Sequence, residues 1–133
     1  MATVQVRYIV RDVDSAIEFY CKYFGFRELM HPAPTFAMLE RGDLRLVLSK
    51  PNQEAGGGQK MSDGIKQEPG GWNRFSIEVK DLENTVSVLR NVGAHFRNEI
   101  VKGVGVSQTI VEDPSGNPIE LFEPNLPEAR LQQ

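Results

Sequence analysis

One pattern occurs twice in this chain. From Val4 to Val10 the side chains alternate, with Val4, Val6, Tyr8 and Val10 on one face and Gln5, Arg7 and Ile9 on the other, the period of a β-strand. Asp12 or Asp14 then stands where a helix N-cap belongs, and Val13, Ala16, Ile17, Tyr20, Tyr23 and Phe24 recur at helical spacing until Gly25. After Trp72 the pattern returns. Arg74 to Asp81 repeats the alternation of Gln5 to Asp12, with Asp81 matching Asp12 at an offset of 81 − 12 = 69, and a second stripe of Leu82, Val86, Leu89 and Val92 runs to Gly93. A period this long in only two copies is not a solenoid. It predicts two like modules, each burying one face of a sheet under a helix and packed side by side over a shared concave surface.

The remaining segments complete each module. Phe26 to Leu29 reads as a strand that His31-Pro32-Ala33-Pro34 ends, because two prolines so close together do not continue a ladder. Thr35 to Leu39 and Leu44 to Leu48 follow, joined by a Gly42-Asp43 turn. In the second copy the strands are His95 to Ile100, Val104 to Val111 and Pro118 to Phe122. The expected fold class is therefore α+β, two βαβββ modules forming a paired, curved mixed sheet around a cleft. One domain spans 1–133: module one covers about 1–49, module two about 72–124, and a polar tail runs over 125–133. Between the modules, about 50–71 carries Gly56-Gly57-Gly58, Gly64 and Gly70-Gly71, the composition of a linker or a lid.

Charge and composition exclude several partners. A net charge of −3 with 15 scattered basic residues argues against nucleic acid or an anionic membrane surface, which reward a concentrated positive patch. No apolar run approaches the ~20 residues that span a bilayer, and Met1-Ala2-Thr3-Val4-Gln5 lacks the opening of a signal peptide, so a cytoplasmic location is expected. Cys21 is the one cysteine and has no partner for an internal disulfide. It falls in a helical pattern and reads as a packing residue.

The stretch Asp113-Pro114-Ser115-Gly116-Asn117-Pro118-Ile119-Glu120-Leu121-Phe122 sets a turn before a strand with one carboxylate among apolar neighbours. An unpaired charge in that setting is costly, so Glu120 requires a cation, a metal ion, a ligand or solvent. This stretch, together with Val10 to Tyr20 and Phe24-Gly25-Phe26, resembles the vicinal oxygen chelate superfamily of glyoxalase I, bleomycin-resistance proteins, fosfomycin-resistance enzymes and extradiol dioxygenases. The match covers both modules, leaving out the linker and the tail.

The resemblance implies a divalent ion held by the first and last strands of each module. The first-strand ligand lies seven positions before the capping Asp, which is Gln5 here (12 − 7 = 5) and Arg74 in the second copy (81 − 7 = 74). Gln5 is an acceptable oxygen ligand, whereas a guanidinium has no lone pair to donate. The last-strand ligand corresponds to Glu120, and its first-module counterpart to the apolar Leu46 or Val47. Neither His31 nor His95 falls at a ligand position, and both read as surface or packing residues. Arg74 is thus the expected partner of Glu120.

By alternation, Arg7, Ile9, Ser76 and Glu78 share the face of Gln5 and Arg74, and Arg45 and Val47 join them if Leu44, Leu46 and Leu48 face the helix. With aromatic walls from Phe36, Trp72 or Phe122, such a lining suits a polar or anionic small molecule with an apolar body. Alternatively, Arg74, Glu120, Arg7 and Glu78 satisfy one another as an ion network. Two functions follow. One is a metal-independent binding protein of the bleomycin-resistance type, using Gln5, Arg7, Arg45, Trp72, Arg74, Ser76, Glu78 and Glu120. The other is an enzyme: either dependent on Zn, Ni, Mn or Fe held by Gln5 and Glu120, or metal-free with Glu120 or Glu78 as general base. A homodimer is expected by family analogy, with sedimentation as its measurement.

Overall fold

The computed structural model describes residues 4–52 and 57–131. The first module runs β1 (Val4–Ile9), α1 (Val13–Phe24), β2 (Arg27–Ala33), β3 (Phe36–Arg41) and β4 (Leu44–Ser49). The second runs β5 (Ser76–Glu78), α2 (Leu82–Asn91), β6 (Val101–Lys102), β7 (Val106–Glu112) and β8 (Pro118–Pro124), with a 3-10 turn at Pro127–Ala129. Each module makes its own four-stranded mixed sheet, in the orders β1-β4-β3-β2 and β5-β8-β7-β6. The pairs β1/β4 and β5/β8 are parallel and the rest antiparallel. The fold is α+β, built from two βαβββ modules. Two compact units divide the chain: Met1–Gly71 with Pro114–Asn117, and Trp72–Asp113 with Pro118–Gln133.

Both helices start as their capping residues dictate. Asp12 accepts from the Ser15 amide at 3.1 Å, and Asp81 from the Asn84 amide at 3.1 Å, each satisfying an amide that the first turn leaves without a partner. Gly25 ends α1 in the left-handed region at φ 70°, which a Cβ would disfavour. α1 lies on β2, β3 and β4, burying Val13, Ala16, Phe19, Tyr20 and Phe24 against Leu39, Leu46 and Leu48. Edge-to-face aromatic contacts, Tyr20–Phe26 at 5.5 Å and Phe19–Phe24 at 5.2 Å, knit this core. α2 contacts β8, and Leu82, Val86 and Leu89 are buried with Ile77, Val111, Ile119 and Leu121. Among the described residues no helix is long and apolar enough to cross a membrane.

Four expectations need correction. β2 does not stop at His31-Pro32 but continues to Ala33, because it is an edge strand whose register with β3 shifts after Glu28 and again after Met30, and proline is tolerated at edges and irregularities. Phe19 replaces Ile17 and Tyr23 in the buried stripe of α1, and those two are half-buried at its margins. α2 ends at Asn91, so Val92 leaves the helical path and is 53% exposed. His95 to Ile100 is not a strand: it contributes one bridge, Phe96 to Val111, and the ladder with β7 is made by Val101 and Lys102.

Residues 53–56 of the expected linker, including Gly56, and the last two tail residues lie outside the described residues. The rest of that linker belongs with the first unit. The Gln67 side-chain amide donates to the carbonyls of Gly57 and Gln59 at 2.8 and 2.9 Å, and the Gly70 amide donates to Asn117 Oδ1 at 2.8 Å. The turn read as punctuation before β8 has a tertiary role as well. Asn117 Nδ2 donates to the Ile9 carbonyl at 2.7 Å, the Arg11 amide to Ser115 Oγ at 2.8 Å, and Arg11 Nη1 to the Ser115 carbonyl at 2.9 Å.

Candidate functional site

In the first sheet the helix takes the face of Leu39, Leu46 and Leu48, which leaves Gln5, Arg7, Arg45, Val47 and Met38 on the opposite face. Register sets these side chains in rows across the strands. Gln5 pairs with Arg45, Arg45 with Glu40, and Glu40 with Arg27; in the next row Arg7 pairs with Val47, Val47 with Met38, and Met38 with Met30. The first row is polar and the second apolar apart from Arg7. Arg27 Nη2 bonds Glu40 Oε2, so Glu40 turns to the edge strand. Arg45 is half-buried, its Nε has no hydrogen-bond partner, and its Nη1 reaches Met38 Sδ at 3.7 Å, a weak acceptor.

The second sheet carries a different arrangement. Arg74, just before β5, donates from Nε and Nη2 to Glu120 Oε1 at 3.0 and 2.8 Å, and from Nη1 to the Trp72 carbonyl at 3.0 Å. The pair is part-buried, with side-chain exposures of 29% and 18%. Arg74 and Glu120 therefore meet as the alternation of the two strands requires. Ser76 pairs in register with Glu120 and is exposed. Trp72 is 68% exposed, and one face of its ring lies over the Arg97 guanidinium at 4.6 Å. Arg97 Nε donates to Glu112 Oε2 at 2.8 Å. Glu78 accepts the Leu131 amide at Oε1, 2.8 Å, so the tail engages one of the two candidate bases.

The four-membered ion network is thus corrected. Arg74 pairs with Glu120, but Glu78 binds a tail amide and Arg7 makes no ion pair among the described residues. A second pair, Arg97–Glu112, was not anticipated. Its signal lay in the alternation of β7, which sets Glu112 on the side of Ile110, the residue opposite Glu120. Arg97 itself was obscured because its segment is not a strand. His31 Nε2 lies 3.8 Å from Asp14, and His95 is exposed. Cys21 has its thiol pKa pushed up by burial and by the nearby Glu28 carboxylate, which makes it a poor nucleophile.

The repeat also tests the donor set against a divalent ion. Ser76 corresponds to Arg7 (76 − 69 = 7), and since Ser76 faces Glu120 while Arg7 faces Val47, the counterpart of Glu120 is Val47 rather than Leu46. Val47 is fully buried and has no donor atom. Glu120 already holds a guanidinium whose charge repels a cation, and among the described residues no three His, Cys, Asp or Glu side chains gather as a metal site. The residues present do not fit the ion that the resemblance implies. A cavity of about 530 Å³ at the start of α2 lies among Lys80, Asp81, Glu83, Lys102 and Glu123 and includes none of the expected site residues. Two of its charged groups are engaged, Glu123 by the Leu82 amide at 2.9 Å and Lys102 by Glu83 at 3.8 Å.

The architecture is widespread among solved structures. A glyoxalase/bleomycin resistance protein/dioxygenase superfamily member from Sphaerobacter thermophilus is 24% identical, with 92% of this chain and 98% of that chain covered at a TM-score of 0.70. A lactoylglutathione lyase from Agrobacterium tumefaciens is 19% identical over 92% of each chain, TM-score 0.68. An antibiotic binding protein from a Streptomyces species is 21% identical over 94% of this chain and 98% of that chain, also at 0.68. At these identities the likeness concerns the fold. No curated protein matches the sequence. The profile of the Glyoxalase/Bleomycin resistance protein/Dioxygenase superfamily matches residues 3–121, and the chain belongs to that superfamily.

Proposed function

We propose that this protein binds a small polar or anionic molecule with an apolar body, and does so without a metal ion. The observation that carries the reading is Arg74, whose Nε and Nη2 both donate to Glu120 Oε1. A guanidinium fixed there supplies the positive charge that relatives with a metal centre take from the ion. The exposed Trp72 ring, held over Arg97, offers an apolar surface for the body of the ligand. An antibiotic binding protein stands among the structural neighbours, which supports binding as a use of this fold.

A catalytic reading rests on one feature. Among the described residues Arg74 bonds only Oε1 of Glu120, which leaves Oε2 as an acceptor for a substrate proton, with Arg74 beside it to stabilise a developing anion. The neighbouring lactoylglutathione lyase keeps that reading in view as the second choice. Elemental analysis of the purified protein, with ligand binding measured before and after chelation, tests the proposal. Substoichiometric metal and chelator-insensitive binding are expected. Near-stoichiometric Zn, Ni, Mn or Fe, with binding or turnover lost on chelation, overturns it.

A further inference from the structure

We infer that the anionic group of the ligand is seated on the helix-free face of the first sheet, by Arg45 and Arg7, and that the ligand is an aryl or alkyl carboxylate, or a comparable monoanion. This rests on the small-molecule reading above and assigns a chemical class to the ligand. The starting point is a cost. Arg45 Nε is a charged donor removed from water with no acceptor, and leaving such a group unmet is among the more expensive arrangements a protein tolerates. The nearest carboxylate in register, Glu40, is already held by Arg27, and Met38 sulfur satisfies Nη1 only weakly.

Arg7 stands diagonal to Arg45 on the same face, since Gln5 pairs with Arg45 and Arg7 with Val47. No carboxylate pairs with Arg7 among the described residues. Its guanidinium is backed instead by Gly57, where a Cβ would fall 2.3 Å from Arg7 Cζ. Glycine at that position lets the backbone close against the guanidinium. Among the described residues, two guanidinium groups without a carboxylate partner thus share one face, with Gln5 in register beside Arg45. In the second module Arg74 is matched by Glu120 and Arg97 by Glu112. Among the described residues the buried donor without an acceptor, Arg45 Nε, therefore belongs to the first sheet. Fork-shaped guanidinium donors match a planar carboxylate, and the half-buried Met38 with the exposed Met30 beside it gives its apolar body a floor.

Isothermal titration of the protein with naphthoate and with its neutral amide, each with and without excess EDTA, tests this. The wild type should prefer naphthoate by about tenfold or more, the scale of a charge-assisted hydrogen bond. Arg45→Met should erase that preference, with its denaturant midpoint reporting that the variant is folded. Arg7→Gln, at an exposed position, should reduce the preference severalfold and carries the test alone if Arg45→Met does not fold. Absence of saturable naphthoate binding, equal affinity for acid and amide in the wild type, or an unchanged preference in either variant overturns the inference. Binding that EDTA abolishes overturns the metal-independent reading instead, whereas EDTA-insensitive binding without discrimination overturns only the assignment to Arg45 and Arg7.

Discussion

Arg74 and Glu120 meet in the middle range of ion-pair energetics. Exposed pairs contribute about 0–1 kcal/mol, while breaking a fully buried one costs about 3–5. At side-chain exposures of 29% and 18%, Arg74→Ala should destabilise the protein by about 1–2 kcal/mol, read from the shift in denaturant midpoint. The double variant with Glu120→Ala should cost less than the sum of the single changes, since the second truncation removes the stranded partner. Strict additivity would mean that the two side chains do not couple. Alternation in β5 and β8 was enough to anticipate this pair, because strand periodicity fixes which side chains share a face. The same logic did not reach Arg97, whose segment departs from strand geometry while its side chain still packs under Trp72.

The starts of both helices and the end of α1 were legible because capping is local chemistry. Asp12, the cap of α1, has its pKa lowered by hydrogen bonding from the Ser15 side chain, then from the Ser15 backbone amide. Its folded pKa thus lies below its unfolded one. The cap's contribution is fully present above the ordinary carboxylate range and fades as pH falls through the folded value. The stability gap between wild type and Asp12→Ala should accordingly be widest near neutrality and close in acid, measured by urea unfolding across that range. A gap that widens in acid would show that the carboxylate is not what caps α1. Edge strands were less legible. Proline propensity predicts a stop at His31-Pro32, yet a strand whose outer side has no ladder loses little by lacking an N–H, and an irregular register absorbs the rest.

Across the whole chain, the Asp113–Asn117 turn does more than reverse direction. Pro114–Asn117 belongs to the unit built on the first module, although the flanking strands β7 and β8 belong to the other. Asn117 is 4% exposed and uses both ends of its amide, donating to the Ile9 carbonyl and accepting from the Gly70 amide. Asn117→Ala leaves those two backbone groups without their partner and should cost about 2–3 kcal/mol, with a corresponding fall in Tm. A loss below about half a kcal/mol would mean that water replaces the side chain at no expense. Sequence reading saw a turn here, since Asp-Pro and Gly-Asn are turn formers. The partners of Asn117 are separated from it by 47 and 108 positions, and no local pattern reveals them.

The βαβββ order of each module, the N-terminal helix caps, the twofold repeat and the shared face of Arg74 and Glu120 followed from residue order, because they depend on periods of two or 3.6 residues and on chemistry within one turn. Which charges pair and which stay unmet was decided only when distant strands came into register. Glu40 is drawn to Arg27, and Arg45 is left with a buried donor, because β3 has β2 on one side and β4 on the other, and a carboxylate can turn toward only one of them.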